Sequence, residues 1–140
     1  MNVILELTYI DNLYIMQEKI YRLSIQGGRQ MNVDKSLISG STTMLLLKLL
    51  AEKDMYGYEM IEVLRERSEN VFELKAGTLY PLLHSLEAKG LLNAYEKEAG
   101  NKVRKYYSIT KHGRKILDEK KSEWEIYSRA VANVLGFNPA

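Results

Sequence analysis

The sequence predicts an α+β fold that is mainly α, and three observations predict it. Small or apolar residues recur at i, i+3, i+4, i+7 in two places: Gly57, Met60, Ile61 and Leu64, then Leu79, Leu82, Leu83 and Leu86. Each set makes one buried helical stripe. Beyond Gly90, residues 91–97 and 103–109 read as two strands around the turn Glu98-Ala99-Gly100-Asn101, which makes a hairpin. Near the C-terminus Leu117, Trp124 and Val131 repeat every seven residues, with Lys120, Tyr127 and Val134 as a companion row. That seam spans roughly three heptads, enough for helix pairing and short for a free coiled coil.

In chain order, residues 1–30 stand apart as an N-terminal extension. Val3, Leu7, Ile10 and Tyr14 share one helical face, Gly27-Gly28 breaks the pattern, and Met31-Asn32-Val33 echoes Met1-Asn2-Val3. Gly27-Gly28-Arg29-Gln30 can be encoded with a GGAGG ribosome-binding sequence a few bases before an ATG for Met31. Two readings stand side by side: a translated leader ahead of a start at Met31, or an extra helix that packs on the domain or on a partner chain. Residues 31–109 form the main domain, 110–136 a C-terminal helix and 137–140 a tail.

Within the main domain, Ser39-Gly40-Ser41 supplies cap chemistry for a first helix over residues 42–53. Its run Met44-Leu45-Leu46-Leu47-Lys48-Leu49-Leu50 is apolar nearly all round, so it needs cover on more than one side, and a second subunit is the expected cover. Asp54 is placed to cap a second helix over residues 56–69. Val71-Phe72-Glu73-Leu74 alternates and reads as a third small strand. The third helix runs over residues 76–89. Pro81, which lacks an N–H, puts the helix start near Lys75 or Ala76, and Gly90 stops it. Its outer face carries Gly77, Pro81, His84, Ser85 and Ala88, small and uncharged, with Thr78 and Tyr80 on the flanks. Thr110 caps the last helix, which reaches about Leu135.

Composition narrows the function classes. Charged residues make up 27% and apolar ones 46%, which fits a packed core. A net charge of +2 is too mild to argue for nucleic acid by itself. Its distribution says more: Lys97, Lys102, Arg104, Lys105, Lys111, Arg114 and Lys115 stand against Glu98 alone across residues 97–115. The same charges also suit a solvated loop and helix start. Without cysteine there is neither a disulfide nor a thiolate metal site, and a reducing cytoplasm is the expected location. The apolar run at residues 44–51 is far too short to span a bilayer, and the first 25 residues lack the features of a signal peptide. His84 and His112 are the only histidines and lie far apart, so no metal is expected. No phosphate loop, paired-carboxylate motif or nucleophile signature is present, so neither an enzyme nor a cofactor is expected.

A short helix with a small outer face, abutting a basic hairpin, is what a winged helix-turn-helix offers to double-stranded DNA. The chain resembles the PadR family of bacterial transcriptional regulators, in its smaller subtype with one C-terminal helix. The matching residues are Tyr56-Gly57-Tyr58-Glu59, Gly77-Thr78-Leu79-Tyr80-Pro81-Leu82-Leu83, Leu86-Glu87-Ala88-Lys89-Gly90-Leu91 and Arg104-Lys105-Tyr106-Tyr107-Ser108-Ile109-Thr110. One departure stands out. The family's wing carries a Gly-Arg-Pro-Arg-like tip, and here Gly100-Asn101-Lys102-Val103-Arg104 keeps charge but loses the proline and one arginine.

The resemblance implies a homodimeric repressor whose DNA-binding residues are Tyr56, Thr78, Tyr80, Pro81, His84, Lys102, Arg104 and Lys105. Tyr80 has a second reading, a border residue that packs on the wing. Alternation puts Arg104 and Lys105 on opposite strand faces, and one of Tyr106 and Tyr107 in the core. Leu46, Leu50, Leu117, Trp124, Tyr127, Val131 and Val134 are the expected dimer interface. Recognition helices about 34 Å apart then read a palindrome. The family also implies a small aromatic or cationic effector. Trp124 and Tyr127 line its cavity, or Trp124 simply anchors the packing of two subunits. The rival reading is a winged helix used as a protein-interaction module without specific DNA binding.

Overall fold

The computed structural model describes residues 33–137. The readings made for residues 1–30 lie outside them. The element order is α1 (Lys35–Glu52), β1 (Met55–Tyr56), α2 (Gly57–Arg67), α3 (Ala76–Ala88), β2 (Leu92–Ala99), β3 (Lys102–Ile109) and α4 (Lys111–Leu135). This is the mainly helical α+β architecture of a winged helix-turn-helix. The strands make one antiparallel sheet in the order β1-β3-β2. Its register pairs Tyr56 with Tyr106, Tyr95 with Tyr106, and Lys97 with Arg104.

Helix α1 starts seven residues earlier than the cap chemistry at Ser39-Gly40-Ser41 predicts. Asp34 is the cap: its carboxylate accepts from the Ser36 backbone N–H at 2.8 Å and the Ser36 hydroxyl at 2.7 Å. Those bonds, the hydroxyl's first, hold the Asp34 carboxyl below the usual carboxylate range. Ser41 and Thr42 lie inside the helix, where their hydroxyls bond back to the Leu37 and Ile38 carbonyls, so helix-start chemistry is spent within the helix.

The core forms where α1 meets α2, α3, the sheet and the first turns of α4. It holds Leu46, Leu47, Leu50, Met60, Leu79, Leu83, Leu86, Leu92 and Tyr107, with Leu117 at its edge. Three expected interface residues are corrected here. Leu46, Leu50 and Leu117 are 0%, 1% and 5% exposed in the single chain. The all-apolar helix does need cover on several sides, but the chain's own elements provide it.

Three further corrections concern local structure. Asp54 does not cap α2, whose N-cap is Tyr56 without a side-chain bond; the carboxylate accepts from the Tyr95 hydroxyl at 2.6 Å instead. Residues 71–74 form no strand, and the third strand is Met55–Tyr56. The hairpin turn is two residues, Gly100-Asn101, with Gly100 at φ +67°, so both strands run further than predicted. A positive φ at the first central residue matches the twist of the flanking strands and favours glycine.

One junction binds the end of α3 to the start of α4. Helix α3 ends in a Schellman motif: Leu91 N–H bonds the Leu86 carbonyl at 2.9 Å and Gly90 N–H the Glu87 carbonyl at 3.0 Å, with Gly90 at φ +75°. Thr110 then ties into this turn. Its N–H donates to the Leu91 carbonyl at 3.0 Å and its hydroxyl to the Gly90 carbonyl at 2.7 Å, while that hydroxyl accepts from Gly113 N–H at 2.9 Å.

Tyr107 is the member of the tyrosine pair that enters the core, fully buried, and its hydroxyl has no hydrogen-bond partner among the described residues. An unpaired buried hydroxyl opposes folding by about 1–3 kcal/mol. Tyr107→Phe is therefore expected to leave the urea midpoint unchanged or raise it; a clear fall would mean the hydroxyl has a partner.

Candidate nucleic-acid interface

Helix α3 presents two faces because its leucines recur with helical period. Leu79, Leu83 and Leu86 are buried, and Gly77, Thr78, Pro81, His84 and Ala88 are exposed opposite them. Pro81 is the sixth residue of α3 and removes the N–H that would donate to the Gly77 carbonyl. The outer face thus offers a hydroxyl, an imidazole and an apolar ring, with no carboxylate to repel phosphate.

Tyr80 does not join that face. Its ring is half-buried against the core, and its hydroxyl lies over Gly57, where an added Cβ would stand 2.5 Å away. Burial, and then the neighbouring Tyr58 and Tyr107 hydroxyls, push the Tyr80 phenol above its ordinary range. Gly57 is what allows this close approach between the starts of α2 and α3. It brings Tyr58, which is exposed, beside Tyr80 of α3. The sequence points to Tyr56 in the Tyr56-Gly57-Tyr58-Glu59 motif, whereas Tyr58 is the more exposed of its two tyrosines.

On the wing, alternation separates two faces. Tyr107 points into the core, so Val103 and Lys105 share its side, while Lys102, Arg104 and Tyr106 share the outer side. The Lys105 ammonium lies 5.5 Å from the Tyr107 ring centre, across the strand pair from Glu96. Arg104 and Lys105 therefore act on different faces, as alternation requires. Lys102 and Val103 are exposed beside the turn. The Arg104 guanidinium stacks over the Tyr56 ring at 4.3 Å, so Tyr56 is half-buried beneath the arginine.

The outer sheet face also carries Lys97, which the sequence shows only as part of the basic run over residues 97–115. It stands directly across from Arg104, with its ammonium 5.4 Å from the Tyr106 ring centre. The four-residue turn read from the sequence hid this pairing; the two-residue turn creates it. The starts of α2 and α3 meet at the Tyr80–Gly57 contact, and Tyr56, the residue before Gly57, lies under Arg104. The arrangement joins an uncharged reading surface to a cationic sheet face, which is suited to base edges and phosphates respectively.

The C-terminal helix supplies a third feature. Its stripe begins inside the core at Leu117 and continues outward with nothing packed on it among the described residues. Trp124 is 47% and Val134 88% exposed, and Tyr127, Val131 and Ile126 are also exposed. The Trp124 and Tyr127 rings lie 6.0 Å apart, tilted by 40°. Among the described residues no group of three or more His, Cys, Asp or Glu could hold a metal, and no helix is long and apolar enough to cross a membrane.

Comparison with known proteins agrees with this geometry. Residues 46–119 match the profile of the transcriptional regulator PadR-like family. The chain is 39% identical over 94 residues to Uncharacterized protein X of Lysinibacillus sphaericus, spanning 66% of this chain and 85% of that protein. A transcriptional regulator from Clostridium thermocellum is 34% identical, with a TM-score of 0.65 over 70% of this chain and 96% of its own. A PadR family transcriptional regulator from Eggerthella lenta is 30% identical, with a TM-score of 0.62 over 94% and 99% of the two chains. With the profile spanning more than half of its length and the fold shared with these regulators, the chain belongs to the PadR-like family of transcriptional regulators.

Proposed function

We propose that this regulator is a cytoplasmic homodimeric repressor that binds a palindromic operator. The observation that carries the DNA-binding half is the exposed, uncharged face of α3 in one fold with the cations stacked on the outer sheet face. The recognition helix supplies discrimination through Thr78, Pro81 and His84. The wing supplies electrostatic attraction through Lys102, Arg104 and Lys105. Support for a dimer comes from the apolar stripe Trp124, Tyr127, Val131 and Val134, which lies open on α4. A small aromatic or cationic effector that releases DNA would stack at Trp124 and Tyr127 and quench the tryptophan fluorescence.

Selection from a random duplex pool by the purified protein tests the operator. Recovery of one two-fold symmetric sequence supports the reading. Recovery of none at physiological salt would leave the winged helix as a protein-interaction module. Single substitutions divide the labour further. Arg104→Ala is expected to weaken binding to all sequences alike and to make the negative slope of log K against log salt shallower by about 0.9. Thr78→Ala or His84→Ala should leave that slope nearly intact and relax one operator position, where a mismatch ordinarily costs about 1–3 kcal/mol. An Arg104→Ala slope equal to wild type would remove the arginine from the interface.

A further inference from the structure

We propose that Arg104 and Lys97 form a two-cation phosphate clamp on the wing, and that Tyr56 and Tyr106 are positioning residues that hold it, anchored by Tyr95 and Asp54. The proposal rests on DNA binding through the wing and deepens it. It adds Lys97 as a phosphate contact and moves Tyr56 from DNA ligand to support.

Three tyrosines stand side by side across the three strands. Tyr56 on β1 pairs with Tyr106 on β3, and Tyr106 pairs with Tyr95 on β2. Their rings touch in series. Tyr56 meets Tyr106 edge to face at 5.5 Å and 73°, and Tyr106 stacks on Tyr95 at 5.8 Å and 16°. The Tyr95 hydroxyl then donates to the Asp54 carboxylate at 2.6 Å. Asp54 immediately precedes β1, so this bond spans β3 and links the two outer strands. The same bond, first, holds the Tyr95 phenol above its ordinary range.

Two cations sit on this row, each on its own ring: Arg104 over Tyr56 and Lys97 over Tyr106. They are direct cross-strand partners, and like charges placed opposite one another destabilise a sheet. The tyrosine faces offset that repulsion through their ring quadrupoles. An exposed arginine or lysine otherwise samples many rotamers, and a phosphate that captures it must freeze them. Stacking removes much of that freedom beforehand. A pair of like charges, kept together and held in place on one sheet face, is an arrangement that an incoming anion relieves.

The test measures binding of the full chain to a mixed-sequence duplex across a salt series, because non-specific binding depends on phosphate contacts alone. Lys97→Ala and Arg104→Ala should each lower the salt slope by about 0.9. Tyr56→Leu should lower it as Arg104→Ala does, and Tyr56→Phe, which keeps the ring, should restore it. The double variant Tyr56→Leu/Arg104→Ala should bind no more weakly than Arg104→Ala, since the tyrosine acts through the arginine. Circular dichroism and urea midpoints keep these readings apart from unfolding. In the free protein, NMR should find the Arg104 side-chain protons shifted upfield by the Tyr56 ring, and Tyr56→Leu should abolish the shift. A wild-type slope for Tyr56→Leu beside a lowered slope for Arg104→Ala would overturn the positioning role while leaving the wing at the DNA. A wild-type slope for Lys97→Ala would overturn the clamp. Wild-type slopes for both cation variants would overturn the clamp and remove Arg104 from the interface, leaving Lys102 and Lys105 as the wing's phosphate contacts.

Discussion

Val131→Asp is expected to convert the protein to a monomer and to lower its affinity for the selected operator by about 100-fold or more, the scale set by linking two binding modules. Val131 lies on the outward-running part of α4, in the row that starts at Leu117 and passes Trp124. In the proposed dimer a carboxylate there is buried against a second apolar stripe without a partner, which costs several kcal/mol or forces the helices apart. The monomer's own core is untouched, because the residues that bind α4 to it, Leu117 and Gly113, lie more than three turns earlier. Circular dichroism should therefore stay at wild type while sedimentation reports one chain instead of two. A dimer that persists would place the contact elsewhere than this seam.

Gly113→Ala is expected to destabilise the domain by about 3 kcal/mol, measured by urea unfolding. On helix propensity alone the change should stabilise, by about 1 kcal/mol. Packing reverses the sign. The added Cβ would overlap the Leu91 carbonyl oxygen and stand 2.7 Å from Ile109 Cγ1. That carbonyl is held by Thr110 N–H, and both belong to the junction between α3 and α4, so neither side yields cheaply. Gly57→Ala makes the contrast. Its nearest obstacle is the far end of the Tyr80 side chain, which can swing away, so the expected loss is about 1 kcal/mol. Equal losses at the two glycines would mean that the junction is softer than its hydrogen bonds imply.

The helices were legible because their buried stripes repeat with helical period, and the stop at Gly90 because only a left-handed turn was needed there. What escaped was decided by partners rather than by period. A two-residue strand such as Met55–Tyr56 has no alternation to read; it exists because β3 offers it a ladder. Ser39-Gly40-Ser41 looks like a helix start, since the hydroxyl that caps a helix serves equally well when bonded back inside one. That the apolar first helix needs cover on several sides was legible but its cover was not, because sequence shows that a face must be buried without showing by whom. The proposed DNA-facing set is readable in type, as small residues on a helix and cations on a hairpin. Its membership depended on register: a turn shorter by two residues brings Lys97 opposite Arg104, and the glycine at 57 draws Tyr80 inward.

The junction at Gly90, Leu91, Thr110 and Gly113 makes the molecule mechanically a bent lever. Helix α3 ends on one side of a hydrogen-bonded pivot and α4 leaves from the other, with about 22 Å of helix beyond Lys120 free of the core. A tilt of about 10° at such a pivot moves the far end, about 33 Å away, by about 6 Å, on the order of two base-pair rises. Stiffness at this one knot of backbone thus sets the tolerance with which two copies could be matched to two half-sites.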